Sequence, residues 1–113
     1  MTTQATIEHH LNAFAESVDA IMQDYGDASV ILTPDGPLRG TAAVRAFFDG
    51  FFTTSPPELL RAMTLVHHAI EGEIAYVVWK AAPFIPLAAD TFHIRDGKIL
   101  VQTVTLFTLP SAA

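Results

Sequence analysis

Asp90 is the residue in this chain whose type and surroundings most clearly suit chemistry. It sits inside the run Leu87-Ala88-Ala89-Asp90-Thr91-Phe92, strand-like sequence in which aspartate is depleted. A carboxyl among apolar side chains is costly to ionise, so burial raises its pKa. Such a group stays protonated and donates a hydrogen bond, or exchanges a proton with a bound molecule near neutral pH. The same position also suits an Asp that is hydrogen-bonded to Thr103, Trp79 or a backbone amide at the edge of a core. Histidine is the second candidate, because imidazole titrates near neutrality. His68 is expected to face inward near Trp79 and to serve as a base. A one-residue slip of register would turn it out and bring His67 in. Adjacent strand residues point to opposite faces, so His67 and His68 cannot grip one ion together, and no metal site is expected. His9 and His10 read as exposed residues of a helix. The 113 residues contain no cysteine, which excludes a thiol nucleophile, cysteine zinc sites and disulfides. Serine-nucleophile motifs and glycine-rich phosphate loops are absent. The expected chemistry is therefore acid–base chemistry without a cofactor.

The elements that must position these residues follow from periodicity and turn signals. Ile7, Leu11, Phe14, Val18 and Ile21 or Met22 recur at spacings of three and four, which predicts helix from about Thr6 to Tyr25. Thr6 is placed to cap its start, and Ser17 to break it and cap a second short helix. Ala28 to Thr33 reads as a strand ended by the turn Pro34-Asp35-Gly36-Pro37. Thr41 is placed to cap a helix whose face carries Val44, Phe47, Phe48, Phe51 and Phe52, closed by Ser55-Pro56-Pro57. The remainder reads as strands: Leu60 to Ile70, Ile74 to Ala82, Leu87 to Arg95 and Lys98 to Leu109. Asp96-Gly97 between the last two is the strongest hairpin signal in the chain. Helices, a strand, a helix and then a strand meander define an α+β class, with helices packed on one face of a strongly curved, mostly antiparallel sheet.

Strand alternation assigns faces. A two-residue turn at Asp96-Gly97 pairs Arg95 with Lys98 and sets Asp90 opposite Thr103. Asp90, Phe92, Ile94, Ile99, Val101, Thr103, Thr105 and Phe107 then share one face, and Thr91, His93, Leu100, Gln102, Val104 and Leu106 the other. The same argument at Glu71-Gly72 groups Val66, His68, Ala75, Val77 and Trp79, with Leu65, His67, Ile74, Tyr76 and Val78 opposite. Both faces are substantially apolar, yet the chain's own helices cover only one. A second copy of the chain is the expected cover for the outer face, giving a homodimer.

Composition sets the outer bounds. Half the residues are hydrophobic and 16% are charged, enough apolar material for one packed domain spanning residues 1–113. The formal net charge is −6 and the pI is about 5.1, an acidic balance that repels phosphate backbones and argues against nucleic-acid binding. Mean hydropathy is high at +0.35, but no apolar run approaches the roughly 20 residues of a spanning helix. MTTQATIEHH lacks the pattern of a signal peptide. A cytoplasmic protein without membrane association is expected.

Two stretches, VDAIMQDYGDASVILTPDGPLRGTAAVRAFFDGFF and ADTFHIRDGKILVQTVTLF, resemble SnoaL-like polyketide cyclases and ketosteroid-isomerase-like proteins of the NTF2-like superfamily. The resemblance rests on Gly40-Thr41-Ala42-Ala43-Val44 followed by aromatics, and on Asp90-x-Phe92-x-x-x-Asp96-Gly97-Lys98-Ile99. It implies a cone in which helices close one side of the curved sheet around a largely apolar pocket, and dimerisation through the outer sheet face. In ketosteroid isomerases a protonated Asp at the strand position of Asp90 stabilises the enolate oxygen. Their general-base Asp precedes the proline corresponding to Pro34, where this chain has Thr33, which cannot abstract a proton at neutral pH. Steroid isomerisation by two carboxylates is therefore not expected.

Asp90 and His68 are thus the candidate catalytic residues. Trp79, Tyr25, Phe51, Phe92 and Phe14 are expected to shape the pocket, with Thr33 and Thr103 at its polar points. Two functions remain open. One is a cofactor-free isomerase or cyclase acting on a small apolar carbonyl compound, with Asp90 as acid or hydrogen-bond donor. The other is a non-catalytic ligand-binding or dimerisation domain of the same fold.

Overall fold

A computed structural model describes residues 1–107. Helix α1 (Thr3–Ala13) starts three residues earlier than its apolar stripe indicates, because Thr2 rather than Thr6 is the cap; its side chain accepts from the Ala5 N–H at 3.0 Å. Thr6 is instead buried in the helix. Ser17 breaks the segment as expected and caps α2 (Val18–Met22), accepting from the Ala20 N–H. Strand β1 (Val30–Thr33) turns at once into β2 (Gly36–Arg39), so the Pro34–Pro37 region is not a turn alone but a tight hairpin. Helix α3 (Gly40–Thr54) follows with Arg39 at its N-cap, so Thr41 lies inside the helix; its hydroxyl donates to Asp27 Oδ1 at 2.7 Å. Pro57 then opens a further short helix, α4 (Pro57–Ala62). Proline suits a first helical turn, and the strand expected from Leu60 begins only at Met63 for this reason.

Strands β3 (Met63–Glu71), β4 (Ile74–Ala81), β5 (Ile85–Arg95) and β6 (Lys98–Phe107) form the meander. Leu109, expected at the end of the last strand, lies outside the described residues. The six strands make one mixed sheet in the order β2-β1-β6-β5-β4-β3, with β1 parallel to β6 and every other pair antiparallel. Asp96 and Gly97 both adopt left-handed backbone angles, φ 52° and 75°, as a two-residue hairpin turn with the right twist requires. The turn between β3 and β4 is Gly72-Glu73, since Glu71 pairs with Ile74.

Two of the meander's three register shifts decide which side chains of β3 and β6 look inward. His93 pairs with Val101 but Ile94 with Ile99, which leaves Leu100 without a partner on β6. An extra residue inverts the alternation of the strand beyond it. Asp90 therefore faces Val104, not Thr103, and Phe92 faces Gln102, not Val101. Gln102, Val104 and Leu106 join the inner face, and Thr103 moves to the outer one. A second bulge leaves Val66 unpaired on β3 and sets Leu65 opposite Trp79, moving Leu65 inward as well. Bulges also bend the strands they interrupt.

The inner face packs on the helices. Ile7, Ile21, Ile31, Val44, Phe48, Val77, Phe92, Ile94 and Ile99 form its core, and a smaller cluster of Leu59, Ala81, Ile85 and Ala88 lies beneath α4. On the outer face Ile74, Tyr76, Leu87 and Phe107 are exposed. No helix among the described residues is long and apolar enough to cross a membrane.

Inserting one residue between His93 and Ile94 gives Leu100 a partner and makes the β5–β6 ladder regular, which turns Phe92, Asp90, Gln102, Val104 and Leu106 away from the face that carries Ile94 and Ile99. The expected loss is roughly 3 kcal/mol or more, the scale of a lost core side chain, read as a fall in the urea unfolding midpoint. An insertion variant as stable as the intact chain would show that the bulge does not set the inner face.

Candidate functional site

A cavity of about 470 Å³ lies between the inner sheet face and helices α1, α3 and α4. Its walls are mainly Leu11, Phe14, Phe47, Phe48, Phe51, Leu60, Met63, Leu65, Val77, Trp79, Phe92, Val104 and Leu106. Glu8, His10, Asn12, Thr64, Asp90 and Gln102 supply its polar points, and no Lys or Arg lines it among the described residues. A second depression shares Phe47, Phe51, Val104 and Leu106 with it and is bounded by Pro34 and Asp35. The hollow thus adjoins the β1–β2 hairpin.

Asp90 occupies the centre of the inner face. Val77 on β4 and Val104 on β6 stand directly across from it. Trp79 and Gln102 lie on the diagonals, the other neighbours a strand residue meets on its own face. Asp90 is 9% exposed, and its Oδ1 is buried with no hydrogen-bond partner. Burial pushes its carboxyl up to about 7, and the Trp79 indole and the Gln102 amide only partly offset that rise. At neutral pH both protonation states are therefore populated, the condition under which a general acid–base group works best.

The expected partners of Asp90 are only partly found in the wall. Trp79, Phe51, Phe92 and Phe14 line the cavity. Tyr25 is buried behind it, and its hydroxyl donates to Gln102 Oε1, so the phenol is committed to the protein. Thr33 lies outside the cavity: its hydroxyl donates to Gly36 O at 2.8 Å and accepts from the Asp35 N–H at 3.2 Å, tying the β1–β2 hairpin. Thr103 faces outward and accepts from the Thr91 N–H. His68 shares a face with Val77 and Trp79 as the alternation indicated, standing opposite Val77, but β3 is the edge strand and the residue is exposed. It does not line the cavity.

His10 corrects the reading of both α1 histidines as exposed. It is 1% exposed and packs edge-on against Phe14 and Phe92, with ring centroids 5.2 Å away in each case. The buried face of α1 is Thr6, Ile7, His10 and Ala13, and a stripe drawn through apolar residues alone passes beside it. Burial, aided by repulsion from His9, lowers His10 to about 3. A neutral imidazole of that kind is too weak a base to take a proton near pH 7. His9 is half-buried, and its Nδ1 bonds Asp24 Oδ2 at 2.8 Å. Among the described residues no group of three His, Asp or Glu side chains could hold a metal ion.

Gln102 and His10 were both invisible to pattern reading. The Leu100 bulge hides the first, and its own polarity hides the second.

Residues 7–102 match the SnoaL-like domain family, and the chain belongs to that family. No curated protein matches it in sequence. Its fold is that of an NTF2-like protein of unknown function from Burkholderia xenovorans, at TM-score 0.76 and 16% identity over 98% of this chain and 87% of that one. A putative polyketide cyclase from Sinorhizobium meliloti superimposes at TM-score 0.72 with 16% identity, covering 89% and 94%. TerC co-crystallised with polyporic acid superimposes at TM-score 0.69 with 14% identity, covering 93% and 91%. Identities this low speak for the α+β cone and not for an activity.

Asp90 and His10 bias stability in opposite directions. The folded pKa of Asp90 exceeds its unfolded value, so the native state binds more protons and stability falls as pH rises from about 4 to about 7. The folded pKa of His10 is below its unfolded value, so stability rises with pH from about 3 to about 6.5. Each effect is on the order of a few kcal/mol, at about 1.4 kcal/mol per pKa unit. They oppose one another between pH 4 and 6.5. Asp90→Asn is expected to stabilise the fold at pH 8, to lose that gain near pH 4, and to expose the rising His10 limb between them. Urea unfolding across this range measures it; equal stability of variant and wild type at pH 8 would contradict the assigned burial cost.

Proposed function

We propose that this SnoaL-like protein binds a small apolar carbonyl compound in its cone and that Asp90 performs cofactor-free acid–base chemistry on it, of the isomerase or cyclase type. The observation that carries this reading is a single under-partnered carboxyl, raised to about 7, on the floor of an apolar cavity. Protonated, it donates to a carbonyl oxygen; ionised, it takes the proton from the carbon beside that carbonyl and returns it elsewhere on the same skeleton. One group with both states populated suffices for that shuttle. Phe14, Phe51, Phe92 and Trp79 supply the apolar walls, and the volume accommodates a fused-ring compound. A putative polyketide cyclase and a protein crystallised with polyporic acid share the fold, and both are consistent with this class of ligand.

A second reading is binding without turnover. It is favoured by the absence of a carboxylate at Thr33 and by the weak basicity of His10, so that neither of these positions gives Asp90 a partner base. The two readings separate on 2-tetralone in deuterated buffer. Catalysis gives exchange of the α-protons faster than buffer alone, lowered about 100-fold or more by Asp90→Asn; binding without turnover gives saturable binding and no added exchange. In both readings the Asp90 carboxyl carbon titrates near 7 by NMR, and a midpoint near the ordinary value of about 4 would remove the acid–base role.

We also propose that the working form is a cytoplasmic homodimer joined through the outer sheet face. The exposed Ile74, Tyr76, Leu87 and Phe107 on that face support it, since apolar residues grouped on one surface mark contact sites. Tyr76→Arg is expected to convert a dimer to a monomer in sedimentation velocity with little change in unfolding midpoint of the monomer. A wild-type chain that sediments as a monomer at high micromolar concentration would exclude the dimer.

A further inference from the structure

The hydrogen bonding beneath the cavity floor points to a role for a residue that none of the family-level features names. Gln102 is 2% exposed and sits on the inner face, diagonal to Asp90 and directly across from Phe92. Its side-chain oxygen accepts from the buried Tyr25 hydroxyl, and its amide nitrogen reaches Asp90 Oδ2 at 3.5 Å. A phenol in this buried setting keeps its proton, because burial and the nearby Asp90 and Asp24 charges all raise the Tyr25 pKa. In the structure it donates that proton to Gln102 Oε1. A donor at Oε1 leaves the amide only one orientation, with its N–H groups toward Asp90.

We propose that Gln102, locked by Tyr25, is the positioning residue of Asp90: it presents an N–H to one carboxyl oxygen and so sets how the group is held against a ligand. This rests on the reading of Asp90 as the acid–base group. The lock depends on tertiary structure at three points. Tyr25 comes from the segment after α2, Gln102 reaches the inner face only because of the Leu100 bulge, and Asp90 comes from the neighbouring strand. The 3.5 Å contact is long for a neutral carboxyl. It would tighten as Asp90 ionises, since bonds to charged acceptors are shorter and stronger. The arrangement therefore favours the ionised form of a group whose burial opposes it, and keeps the carboxyl within reach of neutral pH.

Wild-type protein provides the first test. The Gln102 side-chain amide resonances are expected to shift with the same pH midpoint as the Asp90 carboxyl carbon. Gln102→Leu removes the N–H, and the Asp90 ionisation constant is expected to fall about tenfold. Tyr25→Phe keeps the ring but frees the amide to turn its oxygen toward Asp90, and a fall in the same direction is expected. A purely structural role would lower the unfolding midpoint of both variants and leave the Asp90 titration where it was. The proposal is overturned if the wild-type Gln102 amide does not respond across the Asp90 midpoint, or if either folded variant titrates at Asp90 as the wild type does. A wild-type Asp90 midpoint near 4 is a separate outcome: it defeats the acid–base function, while the positioning contact is still judged by whether the amide follows that midpoint.

Discussion

An uncharged hollow has no cheap way to hold a carboxylate. Removing a charge from water costs several kcal/mol unless it is paired or hydrogen-bonded, and no Lys or Arg lines this cavity among the described residues. Asp90 consequently sits with one oxygen unpartnered and its pKa raised to neutrality. The rest of the site is arranged around that constraint. Val77 and Val104 exclude water on either side, Trp79 and Gln102 offer limited polar contact on the diagonals, and helices α1 and α3 cover the floor with aromatic rings.

A second buried group close by carries a penalty with the opposite pH dependence. His10 is buried in the same aromatic cluster and is held neutral. As pH rises, the cost of Asp90 grows where the cost of His10 declines, so the two partly cancel over mildly acidic conditions. Neither group is arranged for stability alone: apolar side chains of similar size would cost less at both positions. Buried polar groups without partners are uncommon in native proteins, and two around one cavity mark it as the part of the molecule where stability has been conceded to something else.

The bulges connect local sequence to the site. A regular β5–β6 ladder would line the inner face with Val101 and Thr103 and leave Gln102 in solvent. The inserted Leu100 reverses this, and the unpaired Val66 does the same for Leu65. Neither residue carries a local signal. Leu and Val are ordinary strand residues, and an extra one becomes visible only when both partner strands are in register. For this reason alternation alone puts Thr103 inside and Gln102 outside, although the β5–β6 hairpin and its Asp96-Gly97 turn are legible in the sequence.

Local chemistry determined a good deal by itself. The Asp96-Gly97 turn needs left-handed angles that few other pairs adopt, Ser17 caps through its own hydroxyl, and aromatic residues at helical spacing on α3 have to be buried. Those features, with the paired motifs around Gly40 and Asp90, were enough for the α+β cone and for Asp90 as its unusual group. What the tertiary structure decided was company. His10 went inward because the helix face that meets the sheet is fixed by packing across four elements. Tyr25 was tied to Gln102, and Thr33 was consumed by its own hairpin. Contacts between residues distant along the chain have no local signature, because the energy that selects them arises only when separate elements close on one another.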